Sequence, residues 1–284
     1  MNFKELKSIY EGKRVFLTGH TGFKGSWLIL MLRELGAEVK GYAQPPVEHN
    51  ALYHEVRAEL YCDSVIADIR NREKVEREIT KFNPDFIFHM AAQALVLESY
   101  KNPVETYQTN VMGTLHVLDA LKNLNYPCKT ILITTDKVYE NFEREAPYKE
   151  DERMGGYDPY SNSKACCELL TSSYRSSFFN PEKYDLHQQS IATVRSGNVI
   201  GGGDWSGNRI VPDLARSLFK NEMLIIRNPD SVRPWQHVLE PLHGYLTLGA
   251  HMTKDTVKYS TAYNFGPKIE DRLTVEELIK EAIQ

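Results

Sequence analysis

The chain has 284 residues, 42% of them hydrophobic and 25% charged, and a formal net charge of -4. This composition is that of a globular protein and excludes a disordered or collagen-like chain. The slightly acidic balance gives no reason to expect nucleic acid or an anionic membrane as a partner, but it leaves room for a local basic pocket.

Residues 14–18, RVFLT, are predicted as a short buried strand. The glycine-rich run GHTGFKG follows at once, and WLILMLRELG then reads as a buried helix ending at Gly36. Residues 38–43 form a second strand candidate and residues 63–67 a third. REKVEREITKF has apolar positions near the helical period, and DFIFHMA is the fourth strand. A long helix is predicted over 104–124, stopping before Pro127, then a fifth strand, KTILITT. A helix over 158–178 and a sixth strand, SIATVR, complete the alternation. Helices between apolar strands predict an α/β fold, a Rossmann-type doubly wound parallel sheet covered on both faces.

After Arg195 the character changes. RSGNVIGGGDWSGNR reads as a loop, residues 210–220 as a short amphipathic helix, and IIRNPDSVRPWQHV as an irregular, ligand-facing segment. Helices are predicted over 238–252 and 274–283. The four cysteines, Cys62, Cys128, Cys166 and Cys167, lack zinc-site spacing; they read as packed thiols of a reducing compartment, and no metal is expected. The first residues lack the apolar stretch of a signal peptide and no run is long enough to span a membrane, so the expected location is the cytoplasm.

Gly19, Gly22 and Gly25 sit between the first strand and the first helix. There they permit a tight turn and a close approach of backbone N–H groups to a pyrophosphate at the helix N-terminus. The acid expected roughly 20 residues further on, for the adenosine ribose, is absent. The second strand ends instead in Tyr42-Ala43-Gln44, with no arginine to indicate NADP. Lys24 either reaches a phosphate or faces solvent, and Asp68 either accepts a bond from adenine or caps the helix after it.

Tyr160 and Lys164, in YSNSK, share one helix face. An ammonium close to a phenol lowers the phenol's pKa, which predicts a base able to take a hydroxyl proton during hydride transfer. Thr134, Thr135, Asp136 and Lys137 stand at the carboxyl end of the fifth strand, where open sheets bind ligands. Thr135 can hydrogen-bond the hydroxyl that Tyr160 deprotonates. Asp136 and Lys137 add an acid and a base that a simple dehydrogenase does not need, unless they merely cap a turn.

Together TGHTGFKG, FHMAAQ, TNVMGT, TTDKVYEN, GGYDPYSNSK, RSGNVIGGGDW and RPWQHVLEPL resemble the CDP-glucose branch of the sugar-nucleotide 4,6-dehydratases, in the extended short-chain dehydrogenase/reductase family. The resemblance runs from about residue 8 to residue 284. It implies an NAD-binding Rossmann domain over 10–196 and a smaller substrate lobe, mainly 197–284, with return crossings to the first domain allowed. Further chain beyond TVEELIKEAIQ would complete the wall of that lobe. By the same resemblance Gly19, Thr21, Gly22, Phe23, Lys24, Gly25, Asp68, Ile69, Ala91, Ala92, Gln93 and Asn110 line the cofactor site together with Tyr160 and Lys164. Thr135, Tyr160 and Lys164 form the catalytic triad. Asn198, Arg209, Arg233 and His237 face CDP-glucose or a similar nucleotide sugar, with Arg233 near its diphosphate; packing behind the site is the other assignment for Arg209 and His237.

The implied reaction has three parts. Tyr160 takes the C4 hydroxyl proton while hydride passes from C4 to NAD. Lys137 removes the C5 proton and Asp136 protonates the departing C6 hydroxyl. Hydride then returns to C6, giving CDP-4-dehydro-6-deoxyglucose. A sugar-nucleotide 4-epimerase or 4-dehydrogenase would share the glycines and the triad, but neither needs Asp136-Lys137. A nucleotide-sugar-binding protein without catalysis would need no intact triad. Apolar residues on the helices over 104–124 and 158–178, beyond the need of one sheet face, predict a homodimer.

Overall fold

Each apolar run set between helices becomes a strand, and the strands of the main sheet all point the same way. The computed structural model describes residues 1–47, 49–142, 144, 146–268 and 272–283. Helix α1 (Phe3–Tyr10) leads into β1 (Arg14–Thr18), α2 (Phe23–Glu34), β2 (Glu38–Ala43) and β3 (Asp63–Ile66). Then come α3 (Arg72–Phe82), β4 (Phe86–His89), α4 (Val96–Lys101), α5 (Pro103–Tyr107), α6 (Gly113–Ala120) and β5 (Cys128–Ile133). The chain continues with α7 (Pro159–Ser177), β6 (Gln189–Ser196), β7 (Val199–Ile200), α8 (Ile210–Lys220), β8 (Val232–Arg233) and β9 (Gln236–His237). It closes with α9 (Leu239–Met252), β10 (Ala262–Phe265), β11 (Leu273–Thr274) and α10 (Val275–Ala282).

Seven strands make one sheet in the order β10-β6-β5-β4-β1-β2-β3. All six pairings are parallel. The strand order reverses between β1 and β4, so a crevice opens there at the carboxyl edge. The expected doubly wound α/β sheet is present.

Several elements escaped the sequence reading, among them β10 and α1. β10 (AYNF) is too short and too polar to stand out, yet it pairs with β6 from Ala262↔Thr193 to Phe265↔Ser196. α1 is fixed at its start by a capping box, with Asn2 and Glu5 bonding each other's backbone. The helix expected over 104–124 is also not uniform. A π-helical turn, Gln108–Met112, separates α5 from α6, and a 3-10 turn, Leu121–Asn123, ends the run.

Hydrophobic clusters lie on both sheet faces. One packs α1, α2 and α9 over the strands through Leu6, Tyr10, Leu28, Leu32, Leu242 and Leu246. The other packs α3 and α6 over Phe16, Ile87 and Ile191. Tyr10 reaches across to donate to Leu246 O at 2.8 Å; Gly249 makes room, since a Cβ there would stand 2.5 Å from the Tyr10 hydroxyl. Among the described residues no helix is long and apolar enough to cross a membrane.

Two histidines are buried at strand ends. His89 lies between Thr18 Oγ1 at 2.8 Å and Thr114 Oγ1 at 3.1 Å, and burial, helped by the Lys164 ammonium, pushes its pKa down from 6.5 to about 3. Burial likewise lowers His20 to about 4, against a backbone hydrogen bond to Tyr42. Both are neutral in the fold and take up protons more readily when unfolded. Their contribution to stability is therefore present above pH 6.5 and lost as pH falls from there toward about 4. The melting temperature should decline through that window; a flat profile there would contradict the assignment.

Candidate active site

The turn after β1 has no space for a side chain at Gly19 or, close by, at Gly25. Gly19 has φ +74°, and a Cβ on it would lie 2.8 Å from Ala91 N. A Cβ on Gly25 would stand 2.2 Å from Gly19 O. Gly22 is the N-cap of α2 and offers no capping side chain, so the helix N-terminus is left to other partners. This cradle, which a Cβ would fill, fits a dinucleotide pyrophosphate.

Around it stand the other candidates. Thr21 is buried and donates to Gln44 O at 2.8 Å, while Phe23 packs against the Gly201 loop. At the far end, Asp68 accepts from Arg70 Nε at 2.9 Å and from Gln44 Nε2 at 2.8 Å. The Arg70 guanidinium holds its carboxyl below the usual carboxylate range. Asp68 does not cap α3: Asn71 does, accepting from Lys74 N at 3.0 Å. Gln44, where an acid was sought, thus brings its amide to an acid supplied by the neighbouring strand end. Ile69 is buried against Gly113. Ala91, Ala92 and Gln93 follow β4 as half-buried residues, and Asn110 of the π turn bonds this segment to α7. Asn110 Oδ1 accepts from Gln93 N at 2.8 Å, and its amide donates to Gln93 O at 3.1 Å and Ser163 Oγ at 2.8 Å.

Lys24 is half-buried. Its ammonium bonds Ser196 Oγ and Tyr245 OH, both at 3.2 Å, and contributes to the field at Asp136 and at Lys164. Ser196 and Tyr245 were not foreseen; only the fold brings α9 to this point.

α7 begins with Asp158 capping Ser161 N at 2.9 Å and Pro159 in its first turn. That start sets Tyr160 and Lys164 facing the end of β5. Lys164 is 5% exposed and donates to Ile133 O at 3.1 Å. Burial lowers its pKa, and the nearby Lys24 charge adds to this. Tyr160 is half-buried, and its phenol is in hydrogen-bonding reach of Thr135. Contrary to expectation its pKa is not depressed. Burial pushes it up to about 12, with Thr135 and Arg209 pulling down and Asp136 and Asp158 pushing up. Desolvation outweighs the cations around it.

Thr135 donates to Asp136 Oδ1 at 3.1 Å and accepts from Lys137 N at 3.4 Å. Burial raises the Asp136 pKa, opposed by Lys137, Thr135, Arg233 and Lys24. A Cβ on Gly197 would lie 2.9 Å from Asp136 Oδ2, so the loop after β6 closes directly over this carboxyl. Lys137 is exposed on the same turn. Arg209 ion-pairs with Asp204 at 2.8 Å and its charge is felt at Tyr160; Arg233 is exposed and donates to Val232 O at 2.9 Å. Asn198 O accepts from Gln236 N at 3.0 Å, tying the loops on either side of β7 and β9. His237 is the outlier. Its ring lies 6.5 Å from Trp27 over α2, and its Nδ1 accepts from Leu239 N at 3.3 Å.

The arrangement sets a phenol and an ammonium from α7 against an acid and an ammonium from the β5 turn, beside a glycine cradle. The family model described as GDP-mannose 4,6 dehydratase matches residues 16–277. The chain belongs to this family. A CDP-glucose 4,6-dehydratase from Salmonella typhimurium is 52% identical over 277 residues, spanning 98% of this chain and 77% of the relative. A CDP-paratose 2-epimerase from Salmonella typhi is 27% identical, spanning 94% of this chain and 82% of the relative. Among solved structures, the dTDP-glucose 4,6-dehydratase DesIV from Streptomyces venezuelae, with NAD and TYD bound, superposes with a TM-score of 0.79 at 22% identity. It covers 95% of this chain and 80% of that one, and at this distance the likeness establishes the shared fold.

With its pKa near 12, Tyr160 is a neutral phenol across the physiological range, and the ionised fraction grows about tenfold per pH unit. The rate of substrate oxidation should climb with pH between about 7 and 9. Stopped-flow absorbance of NADH would show it; a rate independent of pH, in a variant that retains Tyr160, would exclude the phenol as base.

Proposed function

We propose that this chain is an NAD-dependent lyase that converts CDP-D-glucose into CDP-4-dehydro-6-deoxy-D-glucose and water. The observation that carries the reading is the placement of Asp136, with raised pKa, against Tyr160 in a chain 52% identical to a CDP-glucose 4,6-dehydratase. NAD, when bound, supplies the two-electron acceptor at C4 and the donor at C6. The glycine cradle and the N-terminus of α2 hold its pyrophosphate, Asp68 and Ile69 receive the adenine end, and the segment Ala91–Gln93 with Asn110 forms the adjoining wall. The end of β2, Tyr42-Ala43-Gln44, carries no arginine for a 2′-phosphate, and the nearby Arg70 is engaged by Asp68; both favour NAD over NADP.

Tyr160 takes the proton of the C4 hydroxyl, and Thr135 hydrogen-bonds the same oxygen. Lys164, one turn along α7, is the cation of the proposed triad, and the Arg209 charge favours the ionised phenol. The C4 ketone acidifies the C5 proton; Lys137, as the neutral amine, removes it and gives it back to C5 when hydride adds at C6. Asp136, which burial keeps closer to its protonated form, gives its proton to the C6 hydroxyl as water leaves. Arg233 and Arg209 hold the diphosphate end, for which an arginine fork is suited. His237 lies against Trp27, and its share in binding the nucleotide comes through that ring pair. Residues 197–284 make up most of this substrate lobe, with α9 and β10 returned to the Rossmann unit over 10–196. The cytoplasm is the proposed location. An epimerase or 4-dehydrogenase would have no use for Asp136 and Lys137, and a binding protein would not need Thr135, Tyr160 and Lys164 together.

The test is a single turnover with CDP-glucose and NAD, followed by NADH absorbance and by mass analysis for loss of water. Tyr160→Phe should abolish NADH formation. Lys137→Ala and Asp136→Asn should form NADH and trap it, with product release slowed about 10²–10⁴-fold. Full dehydratase activity in Lys137→Ala would exclude that lysine as the base.

The helices α4 to α7 also expose apolar side chains, among them Val104 at 69%, Leu169 at 60%, Leu97 and Met112. Such a patch suits a two-fold interface between copies of this chain. Light scattering at micromolar concentration should give the mass of a dimer, and a monomer mass would refute this.

A further inference from the structure

The groups of the proposed reaction come from two elements. Tyr160 and Lys164 ride on α7, while Thr135, Asp136 and Lys137 ride on the turn after β5. The spacing between the two sets decides whether one bound sugar can meet both. A displacement of about 1 Å is enough to cost a reaction two orders of magnitude.

One helical turn beyond Lys164, on the same face, stands Glu168, which is 3% exposed. Its carboxylate collects three donors. Thr134 Oγ1 lies 2.5 Å from Oε1, Thr193 Oγ1 2.7 Å from Oε2, and Arg195 Nη2 2.9 Å from Oε2. Thr134 is the residue immediately before Thr135. Arg195 then reaches the other side of the turn, with Nη1 donating to Tyr139 OH at 2.6 Å and to Glu150 O at 2.9 Å. Tyr139 OH in turn donates to Asn264 Oδ1 of β10 at 2.6 Å. One carboxylate, fixed to the catalytic helix, is thus bonded to both ends of the catalytic turn: directly at Thr134 and through Arg195 at Tyr139.

Burying two charges costs free energy that their attraction offsets only when the remaining lone pairs and protons are satisfied, so an ion pair is a poor choice where packing alone is required. Here the Glu168 oxygens are satisfied by Thr134, which adjoins the turn, and by Thr193 and Arg195 of β6, with Arg195 Nε left unpartnered among the described residues. We infer that Glu168, acting through Thr134 and Arg195, is a positioning residue that sets the spacing between the oxidising pair Tyr160–Lys164 and the eliminating pair Asp136–Lys137. The inference rests on the dehydratase reading for its kinetic consequence but not for its structural one.

Thr134→Val and Thr193→Val form a matched pair, each deleting one hydroxyl bond to the same carboxylate and leaving Glu168–Arg195 in place. Only Thr134 adjoins the turn. In the full chain with CDP-glucose and NAD, Thr134→Val should lower the ratio of elimination to oxidation by about tenfold or more relative to Thr193→Val, and Thr134→Ser should restore it. In the ligand-free protein, hydrogen exchange over residues 134–140 should be faster in Thr134→Val than in Thr193→Val. An equal elimination-to-oxidation ratio in the two valine variants overturns the inference, whatever the exchange shows. If the wild-type chain does not dehydrate CDP-glucose, the dehydratase reading fails by itself. The exchange comparison then decides the positioning claim: unequal rates support it and equal rates overturn it.

Discussion

A sheet whose strands all run one way has all its carboxyl ends on one edge, and every functional group described above depends on that. Gly19 leaves β1, Ala91 leaves β4, Asp136 leaves β5 and Asn198 leaves β6, so residues far apart in the chain are brought to a single crevice. The same geometry imposes crowding. The loop ends approach so closely that Gly19 has no room for a side chain beside Ala91, and Gly197 has none beside Asp136. Glycine at these points is a condition of the strand ends meeting, and the floor of the crevice is backbone for that reason.

Electrostatics of the crevice run against those of the whole molecule. The chain is net acidic, yet Lys24 and Arg233 bear on Asp136, Arg209 bears on Tyr160, and Lys24 bears on the buried ammonium of Lys164. Arg209 ion-pairs with Asp204, whereas Lys24 rests on hydroxyls, Lys164 on a backbone carbonyl and Arg233 on the Val232 carbonyl. Desolvation disfavours the charged forms of Tyr160, Asp136 and Lys164 alike. A phenolate, a diphosphate or an enolate entering this space therefore meets positive charge that bulk water does not screen.

Much of this was legible in the sequence because the relevant signals are local. The glycine run, the strands flanking it and the four-residue spacing of Tyr160 and Lys164 follow from short-range geometry. So does the placement of TTDK at a strand end. The direction of the Tyr160 pKa was misread because its sign depends on burial, a tertiary quantity, and burial outweighed the nearby charges. Lys24 was open between two assignments because its hydroxyl partners, Ser196 and Tyr245, come from segments more than 170 residues away. β10 was missed because four residues carrying an asparagine show no apolar run, and pairing with β6 alone defines them as a strand. Glu168 had a faint signal, since it follows Lys164 by one turn, but its partners on β5 and β6 could be known only from the fold.

The π-helical turn at Gln108–Met112 holds one residue more than an α-helical turn would. Successive residues of an α-helix are rotated by about 100°. The added residue therefore rotates the face of α6 relative to that of α5 by about that angle. Upstream of the turn, Thr106 looks toward the Gln93 amide; downstream, Val117 and Leu118 look into the core. The helix thus serves two masters with different phase requirements, a polar wall and an apolar sheet face, and Asn110 sits at the junction where the phase changes. Loss of a single residue from this turn would leave the composition of the helix almost untouched while swinging Val117 and Leu118 off the sheet. Here, residue count is a stricter constraint than residue type.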